Sequence, residues 1–355
     1  MIVIDRLREK LAQKGLDAVL ITGETAIRYF SGFTSVDATV VVTKNHASLL
    51  TDFRYTIQAK EQCFEGYELV EVGRGGSLDA ISKALDADNA KKVGFEDAEL
   101  SVAVFNQYST LAYEFVPFSN ELCAMRILKS AEEVESLRLA QAMADRAFMK
   151  LLTRIHSGMT EKQVAAELNY LCSMEGSEGP SFDPIVGSGP NGAMCHAVPS
   201  DRKLQKGDLV VLDFGCIKNG YHSDMTRTFA VGEPDEFSRE IYAIVLESQT
   251  RGLNAVRAGI TGKELDSKSR DYIVEKGYGE CFGHSLGHGF GLQIHEAPSA
   301  STASKDVFEA GMTITIEPGI YIEGRLGVRI EDCVVVTEDG MINFATASKE
   351  LLTIE

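Results

Sequence analysis

Three things are scarce in this chain of 355 residues. Cysteine occurs only seven times, at Cys63, Cys123, Cys172, Cys195, Cys216, Cys281 and Cys333, and never as C-x-x-C. An odd, scattered set excludes a disulfide framework and a thiolate zinc site, and fits free thiols in a reducing compartment. Long apolar runs are also missing. No stretch approaches the ~18 uninterrupted apolar residues of a membrane span, and the start turns polar by Asp5, unlike a secretory leader. Basic charge is the third shortage: 35 Lys and Arg face 52 Asp and Glu, for a formal charge of -17. That balance lacks the basic footprint of a nucleic-acid binder. The chain is expected in the cytoplasm, without a membrane or nucleic-acid partner.

What is present is ordinary globular material, 44% hydrophobic and 25% charged, long enough for two domains at roughly 100–200 residues each. Up to about residue 120, short apolar runs alternate with amphipathic segments. Helical spacing at 5–14 precedes a buried strand at 17–22. Further strands are expected at 38–42, 47–50, 67–72 and 92–95, with a helix near 78–85. This half reads as α/β and clusters no His, Cys and acids. Two capping boxes, Ser130-Ala-Glu-Glu133 and Thr160-Glu-Lys-Gln163, then open helices towards 155 and 174. The boundary is placed just before Ser130, giving domains 1–125 and 126–355. The second is expected to be α+β, with two more helices near 238–256 and 262–276 among strand hairpins.

The chemistry concentrates in that second domain. Two β-rich runs, 209–215 and 221–229, flank Asn219-Gly220, the strongest short-range hairpin signal. A two-residue turn there sets Asp213 opposite Thr226 and Asp224 opposite Gly215. The two Asp side chains then share a sheet face as diagonal neighbours, roughly 7–8 Å apart at the backbone. They are either solvated acids on an exposed face or two carboxylates reaching towards one cation. A second hairpin, 312–321 with 327–336, places Glu317 opposite Glu331 if residues 323–325 form the loop. Acids inside apolar strands are rare unless paired or bound to metal.

Between the hairpins, Gly283 to Glu296 holds His284, His288 and His295 among glycines. Asp213, Asp224, His288, Glu317 and Glu331 together make an oxygen-rich set with one imidazole. Four carboxylates match two divalent cations, and the donors suit Mn, Co, Fe or Zn without ranking them. Paired metals about 3.5–4 Å apart share a water and lower its pKa, which is hydrolytic chemistry. Two rival motifs are weaker. Gly283-His-Ser285-Leu-Gly287 spells a nucleophile elbow, but no acid stands between Ser285 and the histidines that follow it. Gly187-Ser-Gly-Pro-Asn-Gly192 spells G-x-G-x-x-G, but loop-like sequence follows where a dinucleotide site needs a helix.

These motifs resemble those of the dinuclear "pita-bread" metallopeptidases, the family of methionine aminopeptidase, aminopeptidase P and prolidase. The likeness rests on Leu-Asp-Phe-Gly at Asp213, Ser-Asp-Met-Thr-Arg-Thr at Asp224, Gly-His-Gly-Phe-Gly-Leu at His288, Ile-Glu-Pro-Gly at Glu317 and Val-Arg-Ile-Glu-Asp at Glu331. It covers about residues 125–355 and implies a pita-bread catalytic domain behind a creatinase/prolidase-type N-terminal domain. The resemblance makes His295 the substrate and transition-state histidine, His196 the histidine at the pocket mouth, and Glu317 a proton shuttle as well as a ligand. Arg329 is implied to orient Glu331 or the substrate. Cys195 stands where relatives often carry Pro. The extra domain implies the proline-specific branch: a homodimeric Xaa-Pro dipeptidase acting on small peptides with proline second, with aminopeptidase P as the alternative. A pita-bread fold kept only for binding is a remote third reading, since all five ligands are present.

Overall fold

The computed structural model describes residues 3–73 and 76–355. Its contacts divide the chain into two compact units, Met1–Arg126 and Ile127–Glu355.

The first unit is built on a mixed six-stranded sheet. Its order is Glu68–Glu71, Ala47–Thr51, Ala38–Thr43, Ala18–Ile21, Lys92–Phe95 and Glu114–Pro117. Side chains alternate across a strand with period two, and the central strand shows what that means here. Val19 and Ile21 pack with Leu7, Leu11, Ile27 and Phe30 of the helices Val3–Lys14 and Glu24–Ser31. Ala18 and Leu20 pack on the other face with Ile81 and Leu85 of helix Ser77–Asp86. Both faces are covered, so this strand reads as one continuous apolar run rather than an alternating one. The expected strands and the helix near 78–85 are present. The helix Glu24–Ser31 and the edge strand Glu114–Pro117 were not expected, because each is too short to show a period.

The second unit is α+β. Both capping boxes form: Ser130 and Thr160 accept from the backbone N–H three residues on, and Glu133 and Gln163 reach back. They open helices Ala131–Leu152 and Glu161–Met174, whose apolar faces pack on a four-stranded sheet of Ile185–Ser188, Leu209–Phe214, Met225–Val231 and Thr353–Ile354. Helices Glu236–Ala255 and Gly262–Glu275 cover a second set of strands, Thr313–Ile316, Gly319–Ile322, Leu326–Arg329 and Asp332–Val336. Thr226, Arg227 and Thr228 join the two halves. Arg227 is 1% exposed and donates to the Glu331 carbonyl at 2.6 Å and to Asp332 at 2.8 Å. The Thr226 hydroxyl donates to the Glu331 carboxylate, and the Thr228 hydroxyl to the Arg329 carbonyl. No helix among the described residues is long and apolar enough to cross a membrane, and all seven cysteines are free.

Candidate active site

The first hairpin forms in the expected register. Asp213 pairs with Thr226, and Lys218 with Tyr221 across the turn. Asn219 and Gly220 both take positive φ, 51° and 73°, the backbone of a type I′ turn that favours this pair of residues. Gly215 is needed for a different reason. A Cβ there would lie 1.8 Å from the Ser223 carbonyl oxygen, so only glycine lets the strand carrying Asp213 close on the segment carrying Asp224.

The second hairpin also keeps its expected register, but in two pieces. Thr313–Ile316 pairs with Asp332–Val336, and Gly319–Ile322 with Leu326–Arg329 around a three-residue loop. The ladder breaks at Glu317-Pro318 and at Ile330-Glu331. Pro318 has no N–H to donate, and the freed backbone turns to other strands. Glu317 N–H donates to the Leu286 carbonyl, and Glu331 N–H to that of Thr226. The break therefore places both glutamates where three chain segments meet.

His288 lies on the short strand Gly287–Gly289, which pairs with Glu296–Ala300 through an irregularity between His288 and Gly289. Its Nδ1 lies 3.1 Å from the Gly289 carbonyl, so that nitrogen carries the proton and the lone pair is on Nε2. That lone pair faces Asp224 Oδ2 at 3.6 Å and Glu317 Oε1 at 3.4 Å. A neutral ring nitrogen aimed at two carboxylate oxygens is repulsive unless a cation lies between them.

Hydrogen-bond bookkeeping points the same way. Asp213 Oδ1, Asp224 Oδ1 and Glu331 Oε1 are buried without a hydrogen-bond partner, which a folded chain rarely tolerates without a ligand to satisfy them. Atoms of Asp224, His288 and Glu331 lie within 4.8 Å of one another. Burial, then the charge of neighbouring carboxylates, holds Asp224 and Glu331 well above the ordinary carboxylate range. Burial likewise lifts Glu317 to about 7, with Arg329 opposing, and lowers His288. This chemistry fits a divalent cation site, where positive charge replaces the protons the cluster otherwise needs.

All eight expected site residues line one cavity of about 400 Å³, an ordinary size for a small-molecule site. His295 packs edge-on against His288, with ring centroids 4.3 Å apart and an interplanar angle of 66°. Arg329 sits against Asp213 rather than Glu331: Nη2 donates to Asp213 Oδ2 at 2.6 Å, and Nε to Thr226, whose hydroxyl passes on to Glu331. The expected link to Glu331 is therefore indirect, because the threonine hydroxyl stands between them.

The cavity also contains a group whose part sequence reasoning missed. His284 Nδ1 lies 2.7 Å from the Ser285 carbonyl, so Nε2 accepts from the Tyr321 hydroxyl at 2.9 Å, which in turn accepts from Arg329 at 2.8 Å. Burial and then the Arg329 charge push His284 down to about 4, keeping the ring neutral. Its place four residues before His288 was the one available signal. Tyr321 gave none, because a tyrosine in an apolar strand is unremarkable. The rival motifs do not form. Ser285 is followed by the strand Gly287–Gly289 rather than a helix, and the glycines at 187–192 lead into a 3₁₀ turn, Gly189–Ala193.

Comparison with known proteins identifies the family. Residues 135–338 match metallopeptidase family M24, and residues 4–128 match the creatinase/prolidase N-terminal domain. An Xaa-Pro dipeptidase of Pyrococcus furiosus is 40% identical over 352 residues, 98% of this chain and 99% of its own. Among solved structures, an Xaa-Pro dipeptidase from Bacillus anthracis superposes with a TM-score of 0.96 at 43% identity, covering 99% of both chains. An X-Pro aminopeptidase from Thermotoga maritima gives 0.92 at 38% identity, also over 99% of both. With both family matches in chain order and relatives aligned over nearly its whole length, the chain belongs to metallopeptidase family M24.

Proposed function

We propose that this chain is a prolidase-type peptidase, an Xaa-Pro dipeptidase that hydrolyses the bond preceding proline in small peptides. The observation that carries the reading is three buried carboxylate oxygens without partners, on Asp213, Asp224 and Glu331, in the cavity where the His288 lone pair faces two more carboxylate oxygens, in a chain that aligns end to end with Xaa-Pro dipeptidases. Asp213, Asp224, His288, Glu317 and Glu331 would hold two divalent cations, Mn²⁺ first among them. Bound there, the cations supply an activated water and polarise the scissile carbonyl.

The remaining work belongs to side chains. Glu317 takes the proton of the attacking water and returns it to the departing proline nitrogen. Its Oε1 is occupied by the Thr315 hydroxyl at 3.0 Å, which leaves the other oxygen for that proton. A carboxyl held beside the reacting atoms can accept a proton and pass it on in this way. His295, exposed beside His288, donates to the oxygen on which charge develops. His196, at the cavity edge, binds the substrate beside it. Arg329 fixes Asp213 through its short charged hydrogen bond. We place the enzyme in the cytoplasm as a homodimer. The runner-up, an Xaa-Pro aminopeptidase acting on longer peptides, is favoured by the likeness to the Thermotoga maritima structure.

The test is Mn²⁺-dependent hydrolysis of an Xaa-Pro dipeptide beside an Xaa-Pro-Xaa tripeptide, with Asp213→Asn as control. Preference for the dipeptide and an inactive control are expected. Preference for the tripeptide would favour the aminopeptidase, and an active control would overturn the metal site.

A further inference from the structure

His196 reaches the cavity on an exposed segment and makes no side-chain hydrogen bond among the described residues. No hydrogen bond therefore fixes the imidazole, and its position follows that of its backbone. That backbone runs from Ser188, at the end of a strand, through the 3₁₀ turn Gly189–Ala193 to Ser200. Both feet of this loop stand on one carboxylate.

Glu161 is fully buried on the first turn of the helix Glu161–Met174. Its Oε1 accepts from the Ser188 N–H at 2.8 Å and the Ser188 hydroxyl at 2.7 Å. Its Oε2 accepts from the Ser200 N–H at 3.0 Å and the Ser200 hydroxyl at 2.6 Å. Asn191, three residues past Ser188, donates to both oxygens. The free N–H groups of the same helix start are used as well: that of Glu161 bonds the Arg202 carbonyl, and that of Lys162 the Ser200 carbonyl. Burial pushes the Glu161 carboxyl up, but the bonds from Ser188 and Ser200 more than reverse it, so it stays charged. The top of the loop is held separately. A Cβ on Gly327 would lie 1.8 Å from the Gly192 oxygen, and Arg329 donates to the Cys195 carbonyl at 3.1 Å.

We infer that Glu161 is a positioning residue for the proposed reaction: its two oxygens clamp the two feet of the 188–200 loop and so hold His196 over the cavity. A carboxylate is required, because each foot presents two donors and only an acceptor on both sides can satisfy them. The amide of glutamine serves one foot and turns its own N–H groups on the other. The inference rests on His196 acting on the substrate, as proposed above.

A double-mutant cycle with a spectroscopic arm tests it. Glu161→Gln should lower kcat/KM on an Xaa-Pro dipeptide about 10–100-fold, as losses of supporting partners do, with bound metal unchanged. In a His196→Ala background the same change should cost less than about twofold, since two groups acting through one site are not additive. In the second arm, the ring C–H resonances of the seven histidines are followed in the intact chain, that of His196 being assigned by its loss in His196→Ala. Glu161→Gln should shift or broaden the His196 line and leave that of His288 in place. Equal losses in both backgrounds or an unmoved His196 line would each overturn the clamp, and a fully active His196→Ala would overturn its part in the reaction. If the unaltered chain cleaved no Xaa-Pro peptide, the proposed function would fall, and the resonance arm would still decide whether Glu161 holds His196.

Discussion

Glu331 and Asp332 are consecutive, equally buried carboxylates, 1% and 0% exposed, yet they have opposite chemistry. Asp332 accepts from Arg227, Gln249, Asn343 and Lys349, at 2.8 to 3.1 Å. Burial pushes its carboxyl up, but the Arg227 and Lys349 charges more than reverse this. Glu331 receives only the Thr226 hydroxyl on one oxygen, and its other oxygen has no partner. Burial and the nearby Glu317 and Asp213 charges raise it instead. Asp332 begins the strand Asp332–Val336 while Glu331 lies at the break before it, so one acid ties the halves of the domain together while its neighbour opens into the cavity. A buried acid with all its partners is architecture. A buried acid left short of partners is poised for something the chain itself does not provide.

The contrast can be broken from either side. Asp332→Ala leaves Arg227 and Lys349 facing an empty site, and removing one partner of a buried pair costs about 3–5 kcal/mol. Urea denaturation of the metal-free chain should show a loss of that size. Glu331→Gln should do the reverse. It removes one of several crowded like charges, so the metal-free chain should keep or gain stability, while peptidase activity falls by more than the roughly 10–100-fold that losing a supporting partner costs. Equal destabilisation by the two changes would remove the distinction.

The smallest effect is in pH. A carboxyl raised in the fold contributes stability below its unfolded value and loses it as pH climbs through the folded value. For Glu317 that window runs from 4.5 to about 7. Asp332, held low, stabilises above 3.8 and loses this only as pH falls below that value. The metal-free chain should therefore melt at a lower temperature at pH 8 than at pH 5.5. A divalent cation should restore most at pH 8, where the carboxylates are ready to bind it. A melting temperature independent of pH without metal would contradict the shared protonation of the cluster.

Much of this was readable locally. Asn219-Gly220 set the register of the first hairpin because few turns accept two positive φ values in succession, and the observed pairing of Asp213 with Thr226 follows. The capping boxes at Ser130 and Thr160 read correctly for the same reason, since their partners are three residues apart. Arg329 was harder. Its side chain reaches Asp213, 116 residues earlier, and no local pattern distinguishes that from Glu331, two residues away. The role of Glu161 was hidden in another way, inside a capping box whose only visible purpose was to start a helix.

The sequence by itself determined most of the longer elements, the register of the first hairpin and, given a three-residue loop, that of the second. Residue type picked out Asp213, Asp224, His288, Glu317 and Glu331, while His196, His295 and Arg329 came from the family resemblance. The readings made from residues alone depend on turn chemistry, alternation and residue type, all of which act over a few positions. Only the tertiary structure decided which oxygens went unpartnered, which nitrogen of His288 faced them, and which buried carboxylates are held by cations of the chain. Hydrogen bonds and desolvation depend on what arrives from elsewhere in the chain, and side chains of equal local preference divide into support and site only once the strands have met.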